Sequence, residues 1–191
     1  MNTRNQSIIA HTYIAKEGFH DLHPWFLQLK QQGLNPLCIT MDGEQSVIRA
    51  IKLTWPRVRI QRCLYHIQHE GMRWLRSYPK TQAGRDLRPL LGGLPAIKTI
   101  KERNCFIRAY RHWLCTYKGF VLALPSTTTE FKDLKRTIAL INNALPDMFH
   151  FLKNRLVPST TNALESFHSR LKSDYQRHRG LTKEHKIQYL N

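Results

Sequence analysis

Residues 39–66, ITMDGEQSVIRAIKLTWPRVRIQRCLYH, decide how the rest of the chain is read. A short apolar run, Leu37-Cys38-Ile39-Thr40-Met41, stops abruptly at Asp42-Gly43. That pattern predicts a buried strand that delivers a carboxylate to its C-terminal edge. An amphipathic helix is predicted next, with Val47, Ile48, Ala50 and Ile51 on one side and Pro56 as its stop. A second strand, over residues 57–61, runs into Cys63-x-x-His66. Strand, acid, helix, strand is half of a layered α/β unit. Open sheets of that kind place their sites beyond the carboxyl ends of the strands, where Asp42 falls.

Upstream, residues 8–15 are rich in Ile, Thr and Tyr and read as a further strand, broken by Gly18. Residues 19–32 read as a helix. Asp21 is its expected N-cap, Pro24 is tolerated in its first turn, and Leu22, Trp25, Phe26 and Leu29 form its apolar face; Gly33 ends it. Downstream, from residue 62 to about 156, strand-like alternation fades. Helices are predicted over 62–77, 96–118 and 129–145, separated by turns at Tyr78-Pro79, residues 91–95 and Leu124-Pro125-Ser126. Trp74, Leu75, Phe106, Tyr110, Trp113, Leu114 and Tyr117 recur at helical spacing, and such a stripe reads as core.

The last segment, residues 157–172, is VPSTTNALESFHSRLK. Thr161 or Asn162 is placed to cap a helix whose Leu164, Phe167 and Leu171 face inward. Glu165, His168, Ser169 and Lys172 occupy the adjoining face, and a basic run, QRHRGL over 176–181, follows.

Charge is the compositional outlier. Among 191 residues there are 30 Lys and Arg against 13 Asp and Glu, a formal net charge of +17. The surplus is spread along the chain rather than held in a tail. It predicts a polyanionic partner, by default nucleic acid, over the blander alternative of an inert basic surface. With 41% hydrophobic residues, the chain can form one domain of ordinary size, or one domain with an insertion. No run approaches the roughly 18 apolar residues of a membrane span, and the N-terminus lacks the features of a signal peptide. The four cysteines, Cys38, Cys63, Cys105 and Cys115, have no framework spacing, so a reduced, cytoplasmic protein is expected.

Two acids stand out in this acid-poor chain. Asp42 can be only a turn former, and Glu165 only a capping-box partner. Together they allow another reading, in which both hold divalent cations for phosphodiester chemistry. Cys63 and His66, with His69 one turn further, have the spacing of half a zinc site, yet no matching second pair follows: Cys105 and Cys115 have nine residues between them. The favoured reading of Cys63 and His66 is a local structural contact on the first helical turn. His168, Arg170, Lys172, His178 and Arg179 can be a solvated face, but their density after Glu165 favours contacts to DNA phosphates.

Asp42-Gly43, Ala50-Ile51, Pro56 and Gln61-Arg62-Cys63-x-x-His66 together resemble the central signature of the Mutator-type (MULE-like) DDE transposases of bacterial insertion sequences. Thr161-Asn162-Ala163-Leu164-Glu165, Ser169-Arg170-Leu171-Lys172 and Arg177-His178-Arg179-Gly180-Leu181 are similar to the region of that family's last catalytic glutamate. The resemblance covers roughly residues 10–182. It implies an α/β fold, a partial RNase H-like catalytic core over 7–62 and 157–191, interrupted by a helical insertion over 63–156. It implies that Asp42 is the second acid of a catalytic triad and Glu165 the third, 123 positions further on. The cations would be Mg2+ or Mn2+, the reaction strand cleavage and transfer, and the partners transposon-end and target DNA, with room for a homo-oligomer and no membrane. The family's first Asp lies well upstream of the position that matches Asp42, and Asp21 has the wrong context for it. A truncated fragment, inactive alone, is therefore expected.

Two other classes stay open. A non-catalytic basic nucleic-acid-binding module explains the charge but not the placed acids. A small zinc-dependent binding protein would use Cys63 and His66.

Overall fold

The structure is a computed structural model that describes residues 1–3, 5, 7–12 and 18–177, with side chains as far as residue 173. The chain is mostly helical, with one small parallel sheet, in keeping with an α/β class. Its elements are α1 (Phe19–Gln31), β1 (Cys38–Met41), α2 (Gln45–Thr54), β2 (Arg59–Arg62), α3 (Leu64–Leu75), α4 (Gln82–Gly92), α5 (Ile100–Ala123), α6 (Thr129–Ala144) and α7 (Asn162–Arg177). Short 3-10 turns occur at Leu94–Ala96, Leu145–Asp147 and His150–Leu152.

β1 and β2 pair in parallel, from Cys38 opposite Arg59 to Met41 opposite Arg62. Parallel pairing requires a crossover, and α2 is that crossover. Its Val47, Ala50, Ile51 and Thr54 are buried, close to the side predicted from sequence. Trp55, directly after α2, is 4% exposed, and its indole donates to the Leu34 carbonyl at 2.9 Å. That bond ties the end of α2 to the lead-in of β1.

The strand expected over residues 8–15 does not form over 8–12, and 13–15 lie outside the described residues. β-branched residues favour extended backbone, but a strand needs a partner for its N–H and C=O groups. Here Ile9 stands half exposed, and the sheet of the described residues pairs β1 with β2 alone. The sheet of the described residues therefore has two strands. α1 starts at Phe19 as expected, but extended Gly18, not Asp21, is its N-cap, and Asp21 sits in its first turn, near the positive end of the helix dipole. Gly33, at φ 93°, ends it.

Sequence reading missed α4. Thr81 caps it, its hydroxyl accepting from the Gly84 N–H at 3.1 Å. Two glycines and Pro89 hide the helical pattern of QAGRDLRPLLG, whose Ala83, Leu87 and Leu91 are nevertheless buried. α5 opens on a capping box. Thr99 Oγ1 accepts from Glu102 N at 3.2 Å, and Glu102 Oε2 accepts from Thr99 N at 2.9 Å.

Buried apolar side chains gather in two clusters. One surrounds the sheet: Leu22, Val47, Ile51, Trp55, Val58 and Ile60, with α1 packed on α2. The other fills the helices from α3 to α6 and includes Leu64, Leu91, Tyr110, Trp113, Ile141 and Met148. The aromatic stripe of α5 lies in this second core, with Phe106, Tyr110 and Trp113 stacked in sequence at 6.3 Å between centroids.

Fully buried Gln61 joins the two clusters. Its Nε2 donates to the Met148 carbonyl at 2.7 Å, and its Oε1 accepts from the Phe151 N–H at 3.1 Å. The chain then returns across the sheet's end. The Thr40 hydroxyl donates to the Pro158 carbonyl at 3.1 Å, and the Leu64 N–H to the Ser159 carbonyl at 2.9 Å. No helix among the described residues is long and apolar enough to cross a membrane.

Candidate functional site

Because Met41 pairs with Arg62, Asp42 and Cys63 are the next residues out on neighbouring strands. The Cys63 N–H continues the ladder, donating to the Met41 carbonyl at 2.8 Å. Two groups of side chains begin there, one on each strand end.

The first is Asp42, Gly43 and Arg62. Asp42 is exposed, and its Oδ1 accepts from the Glu44 N–H at 3.3 Å, the bond of an Asx turn. Gly43 has φ 106°, a conformation open to glycine and costly for other residues. Arg62, only 5% exposed, donates from Nε to the Asp42 carbonyl at 3.2 Å. Burial lowers the pKa of its guanidinium, while the charges of Asp42 and Asp147 push it back up. An arginine so placed stays cationic. It is a buried positive charge at the end of the sheet, felt by the carboxylates of Asp42 and Asp147.

The second group is Cys63, His66, Thr161 and Glu165. Cys63 precedes α3 and His66 lies on its first turn; Thr161 precedes α7 and Glu165 lies on its first turn. Cys63 Sγ, fully buried, accepts from the Thr161 N–H at 3.4 Å. Thr161 Oγ1 lies 2.5 Å from Glu165 Oε1 and 3.4 Å from Cys63 Sγ. His66 Nδ1 is 3.5 Å from Glu165 Oε1, within ion-pair reach but long for a hydrogen bond. Nδ1 is buried and has no hydrogen-bond partner, although the imidazole as a whole is partly exposed. One ligand atom each from Cys63, His66 and Glu165 lie within 4.8 Å of one another. Among the described residues this is the one group of three or more potential metal ligands, and Asp42 is outside it.

The sequence-predicted residues thus divide. Glu165 comes to Cys63 and His66, and Asp42 to Arg62. His69, one turn along α3, pairs with Glu70 and stacks on Tyr65 instead. His168, Arg170 and Lys172 are exposed on α7, while His178 and Arg179 lie outside the described residues. Arg62 and Asp147 were not read from sequence as members of the site. Gly43 was the available signal for Arg62, since a glycine after a strand-end acid leaves room for a neighbouring side chain. No local signal places Asp147, which reaches the sheet through a 3-10 turn that touches β2.

Residues 3–70 match the family model described as the MULE transposase domain. No curated protein and no solved structure matches the chain. The strand–helix–strand unit that carries Asp42, Arg62, Cys63 and His66 lies within this matched stretch, which is thus similar to the MULE transposase domain.

Proposed function

We propose that Asp42 and Glu165 are two acids of a DDE-type site that cuts and joins DNA strands, on an RNase H-like core interrupted by the helices of residues 63–156. One observation carries this reading. Residues 158–161 cross the C-terminal ends of β1 and β2, bonded to Thr40, Cys63 and Leu64, so α7 starts at the rim from which Asp42 projects.

The residues suit a hard divalent cation. Asp42 is exposed, and Glu165 Oε2 takes no hydrogen bond among the described residues. Carboxylate oxygens of this kind would hold Mg2+ or Mn2+. Such an ion, when bound, makes a water or 3′-hydroxyl a competent nucleophile and steadies the leaving oxygen. The chain's own residues supply the rest. Arg62 places positive charge beside Asp42, where a phosphate can approach without like-charge repulsion. Arg170 and Lys172, with His168, His178 and Arg179, hold the phosphate backbone and position the DNA rather than read its bases.

Mn2+ binding to the purified chain tests the reading, followed by paramagnetic broadening of backbone amides near residues 42–46. Binding is expected in the wild type and is expected to weaken about tenfold or more in Asp42→Asn and Glu165→Gln. Mn2+ binding that ignores both substitutions would remove the catalytic reading. The +17 charge would then favour a non-catalytic nucleic-acid-binding protein.

A further inference from the structure

We propose that Cys63, His66 and Glu165 bind a zinc ion that fastens α7 to the end of β2. The proposal goes beyond the two-acid reading and does not rest on it, because Asp42 has no part in the site.

Four observations carry it. The three ligand atoms already lie within 4.8 Å of one another. A tetrahedral zinc, with ligands at about 2.0–2.3 Å, spaces them about 3.5 Å apart, so a shift of about an ångström closes the site. His66 Nδ1 is a buried polar nitrogen with nothing to bond, and it faces Glu165 Oε1 at 3.5 Å. A buried group in that state carries a cost that a bound cation removes. Cys63 Sγ is fully buried and receives the Thr161 N–H, an outer-shell support that orients the sulfur toward His66 and Glu165. Finally, sulfur, imidazole nitrogen and carboxylate oxygen make a borderline-soft set that selects zinc over Mg2+ or Mn2+.

The proton balance is simple. The Thr161 hydroxyl has one proton, and its 2.5 Å contact assigns that proton to Glu165 Oε1. Thr161 Oγ1 also lies 3.4 Å from Cys63 Sγ, within the reach of a sulfur hydrogen bond. Zinc displaces the thiol proton to solvent, and the Zn–S bond replaces the S–H bond. Three protein ligands leave one position of the tetrahedron for a water. Glu165 binds zinc through Oε1, which leaves Oε2 for the cation of the neighbouring acid.

The site also explains why half a zinc motif lacks its other half in sequence. Cys63 and His66 are three residues apart, but the third ligand arrives from α7, 99 positions after His66.

The test is metal analysis and cobalt substitution of the full 191-residue chain. The purified protein is expected to hold one equivalent of zinc. The metal-free chain titrated with Co2+ is expected to show thiolate-to-cobalt charge-transfer absorption, with the visible bands of four-coordinate cobalt, saturating at one equivalent. Cys63→Ser should abolish the charge-transfer band. His66→Gln and Glu165→Gln should each weaken Co2+ binding about tenfold or more. The double variant Cys105→Ser/Cys115→Ser, which removes the two exposed thiols, should leave the spectrum intact. Asp42→Asn should also leave it intact while weakening Mn2+ binding, so failure of this proposal and failure of the two-acid reading are distinguishable. Absence of the band in the wild type would overturn the site, as would its loss with the exposed thiols. If Cys63→Ser does not fold, the His66→Gln and Glu165→Gln titrations decide alone, and undiminished binding in both would overturn it.

Discussion

Arg62 lays its guanidinium against Gly43. Its Nε donates to the Asp42 carbonyl at 3.2 Å, and a Cβ built on Gly43 would stand 1.9 Å from Arg62 Cζ. The glycine is therefore fixed twice, by its φ of 106° and by the side chain that fills the space beside it. An Asp-Gly pair at a strand end is usually a turn and nothing more. Here the turn is also the seat of a buried cation that faces the strand-end acid.

Gly43→Ala should therefore destabilise the fold by about 2–4 kcal/mol, from left-handed backbone strain together with overpacking against Arg62. Urea denaturation would show a lower midpoint with an unchanged slope. The two causes separate in a double-mutant cycle. In an Arg62→Ala background the overpacking cost disappears and the strain cost stays, so the loss from Gly43→Ala should shrink by about half. A loss that is the same in both backgrounds would mean that Arg62 does not occupy this space.

Gln61 offers a second, independent measurement. A glutamine flanked by Ile60 and Arg62 on a short strand reads from sequence as a polar interruption. In the fold it is fully buried and holds the Met148 carbonyl and the Phe151 N–H. Gln61→Leu keeps the volume and removes both partners, stranding the buried Met148 carbonyl and the part-buried Phe151 N–H. The expected cost is about 2–4 kcal/mol, read as a shift in the denaturation midpoint. A change below about 0.5 kcal/mol would show that water replaces the side chain and that this link is dispensable.

How far the chain could be read in advance follows from the reach of each signal. The unit β1–α2–β2 was legible because apolar periodicity, Asp42-Gly43 and Pro56 are all local marks. The helices α3, α5 and α6 were legible for the same reason, within a few residues at their ends. Residues 8–12 were misread because their strand propensity is local, while pairing depends on what lies beside them. α4 was missed because Gly84 and Pro89 look like breaks, although its cap and its buried face hold it. Asp42 and Glu165 could be picked out as residue types. That Glu165 would meet Cys63 and His66 could not, since no pattern within a helix encodes a contact made 99 positions away.

The four cysteines should separate by reactivity. Cys105 and Cys115 are exposed on α5, and brief treatment of the native chain with iodoacetamide should label both. Cys38 is half-buried, and burial raises its thiol pKa, only partly offset by nearby Arg59. Its thiolate fraction at neutral pH is correspondingly small, so its labelling should be slow and should climb with pH later than that of a free thiol. Cys63 is fully buried and should react only on unfolding. Peptide mass spectrometry after timed labelling reads all four. Rapid native labelling of Cys63 would contradict its packing against Thr161.

DNA binding should carry the electrostatic mark of α7. Arg170 and Lys172 are exposed, three residues or more beyond the first turn that holds Glu165. If they contact phosphates, each neutralises about one, and log affinity should fall with log salt in proportion to the phosphates contacted. Arg170→Ala and Lys172→Ala should then each reduce that slope by about 1 and weaken binding to all sequences alike. Lys101 and Arg108 give the control, since they are exposed on the unrelated helix α5. Substituting them should leave the slope near its starting value if the DNA follows α7 to the rim of the sheet. The opposite result, a slope that responds to α5 and not to α7, would move the DNA path onto the helical block and away from Asp42 and Glu165.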